Sequence, residues 1–379
     1  MNVTDEKFAR PVLYIYFMHG FTIFFGLPLH LVMFYAVITK TPLYAKKFSK
    51  KLLLHLGSSF AAEIFLTSLS TPVLFLPIPA GQAEGILEMM GISTCNLFGI
   101  GIVLLFFSGN VIGHLHYHRF IHLSIYNNFF HIGIFTTIFK TAVQKFFGEK
   151  FRTIVVLLLY VASIGPIFPL LYLTLPDQEA TRQELARMNL KCLNPKIAED
   201  RTLVFSLNPE ASTIAFMTSV ELAILYFVII LSLYYFFGGM TYYIISTSHK
   251  ISERTKTLQK RFQWAMIMET IVYTVFLIIP VICLIVIFIF DVCLPDFQNF
   301  ILLAMSVHGS CGCLTLLLYN DSYRTASYDL FISICHKIKK RKLSSDRSKT
   351  SQVDDINARR NTINQQGIKS IVYQGIYIF

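Results

Sequence analysis

Apolar residues along this chain gather in seven long blocks separated by short polar stretches. The blocks fall at roughly 11–39, 50–76, 92–119, 152–175, 212–246, 261–290 and 298–320. Each is long enough to cross a hydrocarbon core as a helix, for which about 20 residues suffice. An eighth apolar run, 129–139, is only 11 residues long and is predicted to lie in the interface rather than to span. The third block is central. Cys95 to Arg119 carries no formal charge before its last residue and covers roughly 36 Å as a helix, against a core of about 30 Å.

The pattern predicts an all-α membrane protein, a seven-helix transmembrane bundle over 11–320. Residues 1–10 form a short polar N-terminus, 321–342 a membrane-surface helix with a basic cluster, and 343–379 a disordered tail. Composition agrees: 54% of residues are hydrophobic, 15% are charged and mean hydropathy is +0.56, where soluble chains carry about 25% charged residues. The apolar run after Pro11 is too long for a cleaved leader and reads as a first span that also targets the chain.

Charge sets the direction. Of 33 lysines and arginines, 26 fall on one side of this layout: five in 40–51, five in 119–152, five in 250–261 and eleven after Asn320. Only seven fall on the other side. Positive loops stay cytoplasmic, so the N-terminus is expected outside and the C-terminus inside. The net charge of +11 follows from these loops and argues for no nucleic-acid partner. An eighth span at 129–139 would invert every later loop and spoil the asymmetry.

Chemistry-bearing residues are few. Asn2-Val3-Thr4 is a glycosylation sequon at Asn2 on the expected outside. Glu63 lies 12 residues past Lys51, about 18 Å deep, where a carboxyl must face protein or water. It reads equally as a buried polar switch and as a neutral, hydrogen-bonded carboxyl that orients helices. Glu269 and Pro280 in the sixth block complete the expected switch, because a proline frees backbone groups and bends a spanning helix. Glu221 in the fifth block and His308 in the seventh are the candidate ligand contacts. His19 and His30 read as packing residues. Cys95 and Cys192 are expected on the oxidising side and form the candidate disulfide, with Cys293 the rival. Cys335, beside Lys337–Lys342, is a candidate palmitoylation site.

His114, His118 and His122 share a helix face at i, i+4, i+8. Metal binding is disfavoured, since membrane desaturases need several such boxes and the other cytoplasmic histidines stand singly. No metal or cofactor is expected. The favoured reading is an interfacial patch in which His118 and Arg119, with Lys256, Lys260 and Arg261, face a cytoplasmic partner.

Several segments together resemble one family, the nematode serpentine receptor class H chemoreceptors, with class I a close sibling. They are Leu27-Pro28-Leu29-His30 with Lys40-Thr41-Pro42; Leu53-Leu54-His55 with Glu63; Thr71 to Pro77 with Ala80-Gly81; Leu175 to Glu179; Glu253-Arg254-Thr255 with Leu258 to Phe262; Ile279-Pro280; and Val307-His308-Gly309 with Ser322-Tyr323-Arg324. The chain departs from the family where Glu63 replaces an Asp, where Tyr117-His118 replaces the acid–Asn pair before Arg119, and where Ser322 replaces a Pro. The resemblance implies a seven-transmembrane G-protein-coupled receptor and not an enzyme. It would bind a small, partly hydrophobic ligand in the outer half of the bundle and act on a heterotrimeric G protein, with receptor dimers possible. It would sit in the plasma membrane, at the sensory cilium of chemosensory neurons. The competing expectation is a ligand-gated ion-conducting or transport protein that uses the buried acids.

Overall fold

The computed structural model describes residues 12–41, 46–126, 149–187, 199–205, 212–248, 252–337 and 339. The chain divides into two compact units, Met1–Arg324 and Thr325–Phe379. The first holds the bundle. In the second, residues 325–337 are helical and Cys335 is an exposed free thiol. Asn2, Cys192 and the 129–139 run lie outside the described residues.

The helices follow the apolar blocks. Helix α1 runs Leu13–Lys40 through a π-helical turn at Thr22–Gly26, and α2 runs Phe48–Leu69, its final turn Phe65–Leu69 also π-helical. Helix α3 is Thr94–Tyr126. The fourth block breaks at Gly165-Pro166 into α4, Glu149–Ile164, and α5, Ile167–Thr174, as a proline without an N–H demands. Then come α6, Gln178–Arg187, and α7, Ser212–Thr247. Helix α8, Glu253–Ile289, carries a third π turn at Thr274–Ile278 just before Pro280. The seventh block is two helices, α9 (Pro295–Ser306) and α10 (His308–Tyr319), meeting at 46°. Among the described residues five helices are long and apolar enough to cross a membrane, or six with the bent pair taken as one.

Helix α3 packs against α2 and α7, α8 lies between α7 and α10, and α1 covers α2 and α10. Among the described residues the largest fully buried side chain is Tyr234 on α7. Its ring fits only because α3 offers Gly113, where a Cβ would lie 2.4 Å from the ring, and its hydroxyl donates to the Gly109 carbonyl.

The second block was expected to be helical to residue 76. It stops at Leu69, because Pro72 bars its predecessor from helical geometry and Thr71 sits at φ 43°. The chain turns instead into β1, Pro72–Leu74, paired antiparallel with β2, Ala80–Ala83, with Val73 opposite Gln82. The loop after α5 returns as β3, Leu203–Val204, on the other edge of β2. This small sheet was not foreseen. Asp177 caps α6 by accepting from the Glu179 and Ala180 N–H groups, and Gln178 then treats Val204 as a strand partner. Its amide nitrogen donates to the Val204 carbonyl and its oxygen accepts the Val204 N–H, both at 2.9 Å. Val73, Phe75, Ile78, Leu185 and Val204 form the core of this lid.

The described residues of the lid are tied to the N-terminal end of α3 by a hydrogen bond and a ring contact. The Thr94 hydroxyl donates to the Arg201 carbonyl at 2.7 Å, and Phe98 meets Phe205 edge-on at 5.6 Å. The Cys95 expectation is therefore corrected: its thiol is free, against Tyr172, while Cys293 between α8 and α9 is disulfide-bonded. Alkylation of the denatured chain without reductant is expected to label Cys95, and Cys293 only after reduction. Peptide mass spectrometry reads both sites, and a Cys95 that needs reduction would contradict the assignment.

Candidate functional site

The polar residues of the bundle converge on the break in the seventh block. A helix start leaves its first N–H groups without intrahelical partners, and the break at Val307 gives α10 such a start inside the bundle. Glu63 of α2 meets it. Its two carboxyl oxygens accept from the Ser310 N–H and the Ser310 hydroxyl, both at 2.7 Å, and the residue is fully buried. Glu63 thus acts as an N-terminal cap donated by another helix.

Two glycines make room for it. A Cβ at Gly26 in the α1 π turn would sit 2.1 Å from Glu63 Oε1, and one at Gly309 would sit 3.0 Å from Oε2. Below Gly26, His30 donates from Nδ1 to the Gly26 carbonyl at 2.9 Å, and its ring lies tilted 4.6 Å from Phe60. Above it, His19 donates to Thr71 (3.0 Å), Thr71 and Thr67 donate back along α2, and Thr67 meets Thr22. These contacts zip α1 to α2.

A second pair lies toward α8. His55 Nε2 donates to Glu269 Oε1 at 2.6 Å, both residues buried. Between this pair and the Glu63 node is a cavity of about 10 Å³ lined by His55, Ser59, Glu269, Tyr273 and His308, the space of one water. His308 donates from Nδ1 to the Met305 carbonyl at 2.7 Å. On α3, His116 donates to Thr270 at 2.8 Å and stacks on Tyr234. Asn110 accepts from Tyr226 and donates to Ser163, each at 2.7 Å, joining α3, α7 and α4.

The far end of the bundle is cationic. Arg119 turns inward to α8, where Nη2 donates to the Gln259 carbonyl at 2.9 Å and the guanidinium lies 4.4 Å over the Phe262 ring. Phe262 in turn meets Phe48 of α2 edge-on. Arg119 was expected to reach the surface; among the described residues it takes a carbonyl and a ring instead. Lys260 lies 5.7 Å over Tyr242, Lys256 is 3.6 Å from Glu253, and Arg261 pairs with Asp321. The histidine face is divided: Lys51 donates to His114 at 2.8 Å, and the His118 and His122 rings lie 6.5 Å apart.

Of the residues expected from the sequence, Glu63 and Glu269 are buried in the polar core, and Pro280 is buried on α8. The ligand pair is not brought together. His308 is buried in that core, whereas Glu221 is exposed on α7. Sequence reasoning missed His55 and Ser310 as partners; His55, eight residues before Glu63, was the available signal.

Bent apolar helices around a buried polar core fit a seven-helix receptor, and comparison with protein families decides which. The profile of the serpentine type 7TM GPCR chemoreceptors, Srh, matches residues 9–333. The chain belongs to this family. As an Srh protein it is a multi-pass chemoreceptor of the membrane and not an enzyme. Among curated proteins none matches it.

In this Srh chain the Glu63 cap carries a stability prediction. Glu63→Ala orphans the Ser310 N–H in the core, at a cost of about 1–3 kcal/mol, while Glu63→Gln keeps an acceptor and is milder. Thermal melting of the purified receptor should rank wild type, Glu63→Gln, then Glu63→Ala. An Ala variant as stable as wild type would exclude the cap.

Proposed function

We propose that the sheet-covered end of this receptor faces outward and that the cationic end faces the cytoplasm and a heterotrimeric G protein. The ligand is small and partly hydrophobic. It occupies the outer half of the bundle, beside the aromatic layer where Phe106 stacks on Tyr226 at 4.7 Å and lies 5.4 Å from Phe227. Leu74 and Leu76 of the lid pack on the same apolar cluster, so a ligand there touches the lid and helices α3, α7 and α8 together. Glu221, exposed on α7, stands outside this layer.

The observation that carries the reading is the Arg119 contact with Gln259 and Phe262. It holds α3 to α8 at the cationic end through a carbonyl and a ring, with no counter-charge among the described residues. A cation–π contact is worth about 0.5–2 kcal/mol, small enough for a ligand with modest differential affinity to overcome. Releasing it frees Arg119, which with His118, Lys256, Lys260 and Arg261 then faces the G protein. Residence in the ciliary membrane of chemosensory neurons and pairing into dimers accompany this reading through the family. Ion conduction along the buried acids has less support, since Glu63 and Glu269 are each satisfied by protein partners.

The test uses an agonist found by a calcium-response screen and measures G-protein nucleotide exchange. Phe262→Ala is expected to raise agonist-independent exchange about three-fold or more, Arg119→Ala to abolish the agonist response, and Glu221→Gln to leave potency unchanged. Agonist-gated current that persists without any nucleotide exchange would overturn the reading.

A further inference from the structure

Where α8 and α10 approach the cationic end, a groove of about 750 Å³ opens between them, lined by Arg261, Trp264 and Met268 on one side and Leu318, Tyr319 and Arg324 on the other, with Asp321 at its end. Two guanidiniums share the Asp321 carboxylate. Arg261 Nη1 donates to one oxygen and Arg324 Nη2 to the other, while Arg324 Nη1 donates to the Leu318 carbonyl at 3.1 Å. Two cations against one anion leave a net positive charge. Each guanidinium has five N–H donors, so most remain available, and both arginine side chains are more than half exposed.

The walls differ from this end in kind. Trp264 and Leu318 are exposed apolar surface, at 46% and 63%, and Leu314 continues the same outer face of α10. An aromatic residue at the boundary between apolar and charged surface marks headgroup depth. A guanidinium pair suits a phosphate, and the apolar strip beside it suits an acyl chain.

We propose that this groove binds an anionic phospholipid, its phosphate on Arg261 and Arg324 and its chain along Trp264, Met268 and Leu318. The site requires a bilayer at this depth and does not depend on which side is cytoplasmic or on G-protein coupling. The chain of lipid, not phosphate alone, is the second half of the recognition.

Trp264 is the only tryptophan in the sequence, so its fluorescence reports on this groove alone. The full-length receptor is reconstituted in phosphatidylcholine bilayers holding a small fraction of bromine-labelled phosphatidylserine or bromine-labelled phosphatidylcholine. Bromine in the chain quenches tryptophan on contact. The brominated serine lipid is expected to be enriched at Trp264 on the order of five-fold for each guanidinium. In Arg261→Gln/Arg324→Gln the two lipids should quench equally. If that double variant does not fold, Arg324→Gln alone should lose a substantial part of the preference. Equal quenching in wild type, or a preference that survives the arginine substitutions in a folded receptor, would overturn the site. Soluble glycerophosphoserine is expected to leave quenching in place; its reversal of the quenching would reassign the site to free phosphate compounds and overturn the lipid.

Discussion

A helix that starts inside a membrane bundle exposes N–H groups where no water is present to satisfy them. The seventh block of this chain does so at His308, and one carboxyl from α2 answers it. Glu63 takes the Ser310 N–H and hydroxyl together, which turns a break that would otherwise be costly into the joint of three helices. The demand propagates outward. Room for the carboxyl fixes Gly26 and Gly309, and the polar face continues as the His19–Thr71–Thr67–Thr22 seam between α1 and α2. Among the described residues π turns lie in α1, α2 and α8, where backbone geometry departs from regular helix.

The bundle has three tiers with different chemistry. At one end the sheet closes the mouth with backbone pairing and the Gln178–Val204 amide contacts. In the middle, carboxyls and histidines are paired with one another or with helix backbone. At the other end cations rest on carbonyls, rings and surface carboxylates. This gradient, from carboxyls and histidines paired in the middle to cations resting on carbonyls and rings at one end, suits the proposed switch, which needs a terminal contact weak enough to change. Tyr117 at the position of the family's acid, two residues before Arg119, fits this, because a carbonyl and a ring hold a guanidinium less firmly than a buried carboxylate would.

Hydropathy alone placed the helices, since a spanning segment must be apolar over a length the bilayer dictates. The buried acids were also legible, because a carboxyl deep in an apolar block has to find a partner. The partner was not: Ser310 is 247 residues from Glu63 and Glu269 is 214 from His55, separations that carry no local pattern. The sheet escaped notice for a related reason. Its strands are two to four residues long, too short for alternation to register, and Ala80-Gly81-Gln82-Ala83 has no strand-forming composition. The disulfide turned on which cysteine at the sheet-covered end is bonded, and the α3 terminus proved to be held to the lid by Thr94 and Phe98 rather than by Cys95. Glu221 illustrates the remaining limit: periodicity puts a residue on a helix, but only packing decides which face the helix buries.

The dependence of the bundle on the Glu63 cap is open to direct observation by hydrogen–deuterium exchange of the peptide covering residues 308–312. If the carboxyl of α2 holds the start of α10, this peptide is protected in wild type, retains part of its protection in Glu63→Gln and loses it in Glu63→Ala, while the α3 peptides exchange as before. Unchanged protection of residues 308–312 in a folded Glu63→Ala receptor would contradict the account.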